Sequence, residues 1–167
     1  MQITHNNMIA GLNSKGTEFF ALSPSEVTTI HNRQILPFEK SPKKIIDIVK
    51  SVMPVSTDDM DLIKRFVFER WGALDNTPDI CENGIPSDPE YIEGVSVSAY
   101  FDNGVAISPG QLRVLKLIKL PPVEIADKLF LSKQTVDRHI QDMLRNGGFI
   151  NTKALAIWAV TKITRVI

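Results

Sequence analysis

Cysteine is nearly absent. Cys81 is the one thiol in 167 residues, so no disulfide can close within the chain, and a reducing compartment is the simpler expectation. Long apolar runs are missing as well. The longest nearly apolar stretch, Ala154 to Val160, is far short of the ~18 residues that suggest a membrane span. The opening "MQITHNNMIA" has no basic run followed by an apolar one, so no secretory signal is expected. These absences lead us to expect a soluble, cytoplasmic protein with no membrane partner. Net charge is lacking too, with 19 basic and 19 acidic side chains. The balance is uneven along the chain. Residues 108–167 hold ten basic and four acidic side chains, a net +6. Residues 1–107 hold nine and fifteen, a net −6. A neutral chain with a basic third and an acidic remainder points to two parts with two kinds of partner.

The apolar fraction of 43% is enough to build a core. "EFFAL" and "VTTIHNRQILPF" are rich in β-branched and aromatic residues, and Ser23-Pro24-Ser25 separates them as a turn, so residues 8–38 are expected to form short strands. "SPKKIIDIVKSVM" repeats apolar residues at helical spacing through Ile45, Ile48, Val49 and Val52. "TDDMDLIKRFVFERWG" does so through Leu62, Ile63, Phe66, Val67 and Trp71, with Asp58-Asp59 as acids at a helix start. Residues 75–94 are acidic and rich in proline and glycine, which predicts a loop. "GVSVSAYFDNGVAIS" alternates and turns at Asn103-Gly104, the pattern of a β-hairpin. Residues 1–104 are therefore expected to be an α+β domain with a regulatory or dimerising role. Residues 105–167 are expected to form a separate all-α domain.

Four helices are predicted in that second part. Ser108-Pro109 with Gln111 forms a capping box, and Leu112, Leu115 and Ile118 make the buried stripe. Pro122 can open "VEIADKLF". Ser132 can cap a third helix running from about Lys133 to Arg145, which Gly147-Gly148 ends. Asn151 starts a fourth. In the third helix Val136, Ile140, Met143 and Leu144 share one face, while Gln134, Asp137, Arg138, Gln141 and Arg145 share the other. An apolar inner face and a polar outer face suit a helix lying in a DNA major groove.

"EIADKLFLSKQTVDRHI", Glu124 to Ile140, followed by "NTKALAIWAV", resembles the LuxR-type helix-turn-helix domain of bacterial transcription regulators. The resemblance covers about the last 60 residues. Departures are Gly110, Gln111 and the shorter loop "KLPPV". The resemblance implies a sequence-specific regulator that binds double-stranded DNA. Carried over by position, Asp137, Arg138 and Gln141 would face bases, and Lys133, Gln134, Thr135, Arg145 and Lys153 would face phosphate. His139 would pack. Leu155, Trp158, Ala159 and Ile163 of the fourth helix would either complete the core of this domain or offer a homodimer surface, and RNA polymerase is a further possible partner. No cofactor is implied.

Two carboxylates on the third helix need an account, because phosphate repels them. Asp142 can pair with Arg138 or Arg145 at helical spacing. Asp137 is either an acceptor for a cytosine amino group or a partner that orients Lys133 or Arg138. The alternative reading is a protein-interaction antagonist of transcription whose helix-turn-helix no longer binds DNA. Other chemistry finds little footing. Asp79, Asn83, Gly84 and Glu90 have partial EF-hand spacing, but Cys81 and Pro86 spoil it. No strand ends in the acids of a phospho-receiver. No constellation suggests an enzyme or a metal site.

Overall fold

The computed structural model describes residues 15–72, 78–88, 99–163 and 166. These divide into two compact units. The first is residues 1–52 with 58–96, and the second is residues 53–57 with 97–167. Among the described residues a three-stranded antiparallel sheet comes first and six α-helices follow, as the α+β-then-helical layout anticipates.

In the first unit, β1 (Thr17–Ser23), β2 (Glu26–His31) and β3 (Gln34–Pro37) form a meander in that order. The run "VTTIHNRQILPF" is not one strand. It folds back at Asn32 and Arg33, whose φ angles are 48° and 65°. Two successive left-handed residues make the tight hairpin turn whose twist matches its strands. Neither glycine nor proline marks this turn, and Asn32 is its one sequence cue. After a 3-10 turn at Phe38–Lys40 come α1 (Lys43–Val52) and α2 (Met60–Trp71). Asp59 caps α2 by accepting from the Asp61 amide at 3.0 Å. The predicted stripes point inward: Ile45, Val49, Ile63, Phe66, Val67 and Trp71 are buried, while Ile48, Val52 and Leu62 are half-buried. Phe19 of β1 joins this core, stacked on Trp71 at 5.5 Å and edge-on to Phe38 at 5.8 Å.

The stretch read as a loop is partly structural. Ile80 exchanges backbone hydrogen bonds with Thr17 at 2.7 and 3.0 Å and is buried, and the buried Asp79 carboxylate accepts from the Phe19 amide at 2.6 Å. Asp79 therefore secures the edge of β1. Glu90 and residues 8–14 lie outside the described residues.

In the second unit the expected hairpin reduces to one bridge, Tyr100 with Ala106, around a turn at Gly104. Residues 94–98 of that expectation lie outside the described residues. The short turn holds Phe101 in an aromatic group with Phe149 at 5.8 Å and Trp158 at 5.2 Å. Four helices follow: α3 (Pro109–Lys116), α4 (Pro122–Leu129), α5 (Lys133–Gly147) and α6 (Thr152–Lys162). The capping box is present, with Ser108 and Gln111 each accepting from the other's amide at 3.1 Å. Of the predicted stripe Leu115 and Ile118 are buried and Leu112 is partly so, and Val114, outside that stripe, is fully buried as well. The strap 53–57 belongs to this unit. Val55 bridges Ile163 and the Ser56 amide donates to the Lys162 carbonyl at 2.8 Å.

Candidate nucleic-acid interface

The polar face of α5 depends on how that helix is held. The short connection from α4 works because Phe130 takes a left-handed conformation, φ 56° and ψ 40°, and its amide and that of Leu131 both return to the Ala126 carbonyl. A left-handed phenylalanine is disfavoured by its Cβ. Its ring gains nothing here from burial, since Phe130 is 96% exposed. Ser132 then caps α5, its hydroxyl accepting from the Thr135 amide at 3.1 Å and lying 2.9 Å from the Thr135 hydroxyl. At the far end Gly148, at φ 72°, lets its own amide and that of Phe149 close on the last carbonyls. Between these caps Val136, Ile140 and Met143 are buried, and α5 packs on α3, α4 and α6. The sequence stripe of this helix therefore lies where its spacing placed it.

Gln134, Arg138, Gln141 and Arg145 are all exposed. Their spacing of four, three and four residues puts them in one row along the helix. Lys133 is also exposed and Asp137 is half-buried beside it. Thr135 is half-buried, with its hydroxyl engaged in the Ser132 cap. Lys153 is exposed in the first turn of α6, which Asn151 caps by accepting from Ala154 at 2.9 Å.

Both carboxylates have partners. Asp137 accepts from Lys133 at 2.8 Å, one turn earlier, and Asp142 accepts from Arg145 at 2.5 Å. The Lys133–Asp137 side chains remain 58% and 44% exposed, so the pair is worth only a few tenths of a kcal/mol, about the value of a helical surface pair. Arg138 and Lys153 have no ion-pair partner among the described residues and stay available to an external anion. His139 packs: a Cβ on Gly110 of α3 would stand 3.5 Å from its ring.

The fourth helix needs a different account. Leu155 and Ala159 are fully buried, and Ile163, just past its end, is nearly so, all within the core of the same unit. Trp158 lies against Phe101 and Phe149 and donates from its indole to Asp102 at 3.1 Å. These four side chains are already engaged inside one copy. Leu155, Ala159 and Ile163 close the core of one copy and do not face outward, while Trp158 is half-buried. The outward apolar residues of α6 are Ile157 and Val160.

Among the described residues, no group of three or more histidine, cysteine or acidic side chains is placed to hold a metal, and no helix is long and apolar enough to cross a membrane. No family model matches the chain, and no curated protein or solved structure matches it either.

Proposed function

We propose that the chain is a sequence-specific, double-stranded DNA-binding transcription regulator. In this reading α4 and α5 form its helix-turn-helix and α5 lies in the major groove. The observation that carries the reading is the exposed row Gln134, Arg138, Gln141 and Arg145 on a helix capped at both ends and anchored by Val136, Ile140 and Met143. Amide and guanidinium side chains pair with adenine and guanine edges in that groove. The fifteen residues of α5 span roughly 22 Å, enough to run along a groove wall. The net +6 of residues 108–167 supplies the attraction to phosphate. Residues outside the second unit take the regulatory role, and no cofactor enters the reading.

A second reading, a protein-interaction antagonist of transcription, draws on a different observation. Phe130 and Leu131 present apolar surface at the turn that would approach DNA, and Asp137 and Asp142 occupy two of the cations. Binding of the full chain to random duplex DNA at two salt concentrations separates the two. A steep loss of affinity with salt supports DNA binding. No binding even at low salt sinks that reading and leaves the antagonist.

A further inference from the structure

The first unit contains a cavity of about 330 Å³, at the small end of the range for ligand pockets. One wall is the start of α1, where Lys44, Ile45 and Ile48 line it. The other is the turn Cys81–Gly84, closed by the Gly84 amide donating to the Cys81 carbonyl at 2.9 Å. Gly84 has φ 79°, and a Cβ there would stand 3.5 Å from Ile48 Cδ1. Ile80, His31 and the hairpin turn at Asn32 complete the lining. Ile45, Ile48 and Ile80 give it an apolar side. Its polar groups come from three separate parts of the chain.

The charges are unevenly satisfied. Lys15 faces Glu82 across 3.5 Å, and Lys43, next to the cavity wall, is held by Asp47 at 2.6 Å. Lys44 has no carboxylate partner among the described residues. It sits in the first turn of a helix that has no acid there, so its charge adds to the positive end of the helix dipole instead of offsetting it. His31 is buried, and its Nδ1 lies 2.7 Å from the Thr17 hydroxyl, which leaves Nε2 as the ring's remaining polar atom. Burial, and secondarily the charge of Lys44, push the His31 imidazole below its ordinary pKa. In the tautomer whose Nδ1 accepts from Thr17 the proton sits on Nε2, and a bound anion would select that tautomer.

We infer that this cavity binds a small organic anion. Its carboxylate or phosphate group lies against Lys44 and His31, and its short apolar body lies on Ile45, Ile48 and Ile80. The anion supplies the negative charge missing at the start of α1, and the isoleucines bury the apolar body behind the head group. This site is independent of the DNA-binding reading, because every residue in it belongs to the first unit.

The test uses the ¹⁵N-labelled full chain titrated with sodium valerate, inorganic phosphate and the neutral valeramide. The amides of Asn32, Lys44, Ile45, Asn83 and Gly84 should shift saturably with valerate, phosphate or both, with a Kd near or below about 1 mM. Which anion binds identifies the head group. Valeramide should leave these amides in place. Lys44→Gln should weaken binding about fivefold, the scale of one partly exposed charge contact. Lys128→Gln, on α4, should not. Ile48→Phe, which fills the cavity from its apolar wall, should remove valerate and phosphate binding while the other amides of the unit keep their positions. The inference is overturned if neither anion gives saturable shifts up to about 20 mM. It is equally overturned if valeramide matches valerate, if Lys44→Gln leaves the Kd unchanged, or if binding survives in a folded Ile48→Phe.

Discussion

Replacing Asp137 by Asn removes one charge from the polar face of α5 and leaves its shape unchanged. The partner is known: Lys133 donates to the carboxylate at 2.8 Å. Both side chains are about half exposed, and the lysine lies N-terminal to the acid, the weaker of the two helical orientations. The pair therefore adds about 0.3–0.5 kcal/mol, and its loss should move the thermal midpoint by only a few degrees. Binding should change more. Lys133 is released to phosphate and a repulsive carboxylate leaves the face, so affinity for every duplex should rise several-fold. The slope of log K against log salt should steepen by about 0.9, the value of one further neutralised phosphate. Selection from randomised duplexes, with wild type and Asp137→Asn at two salt concentrations, measures all of this. Weaker binding to every sequence would refute the reasoning, because it would mean the carboxylate positions Lys133 for contact. An altered consensus would make Asp137 a base reader instead. Unchanged affinity and consensus would show that this face never meets DNA.

Arg138→Ala should weaken binding to a selected site by about 1–3 kcal/mol and random DNA by less. Equal losses, by gel shift, would make Arg138 a phosphate contact only. A fragment of residues 103–167 should fold poorly by amide spectrum, because it lacks Phe101, which is 1% exposed against Phe149 and Trp158; residues 99–167 should be more stable by about 3–5 kcal/mol, and equal stability would contradict the aromatic packing. The depressed His31 pKa means that the unfolded chain takes up a proton more readily than the folded one. Stability of the first unit should therefore be full above the unfolded value of about 6.5 and decline as pH falls below it. Urea midpoints at several pH values measure the decline, and His31→Gln should flatten it.

The second unit was the more legible in the sequence. Its capping residues Ser108, Ser132 and Asn151 act locally, over three residues, and the apolar positions of α5 repeat at the helical period. Both kinds of signal lie within one element. What escaped depends on partners distant in the chain. The sequence left Leu155, Ala159 and Ile163 open between core and dimer surface, because periodicity alone cannot orient α6 when apolar residues occur on several sides; where the helix packs decides for the core. Ile80 lies in a stretch whose acidic, proline- and glycine-rich composition predicts a loop, and its value comes from pairing with Thr17, more than sixty positions earlier. The cavity is the extreme case. His31, Lys44 and Asn83 carry no shared motif, and only the fold brings them together.

The strap of residues 53–57 bears on how such a chain can be recombined. Because those residues belong to the second unit, the polypeptide passes from one unit to the other three times, after residues 52, 57 and 96. A gene fusion that joins residues 97–167 to a foreign partner would transfer all four helices α3–α6 and leave Val55 behind. That side chain is 4% exposed within their core, and burying a valine is worth about 1.5–3 kcal/mol. The second unit is therefore not a free-standing cassette at the end of the chain. A graft that keeps its helices intact must also carry a short peptide from the middle of the donor, or replace the edge that Val55 and Ser56 provide.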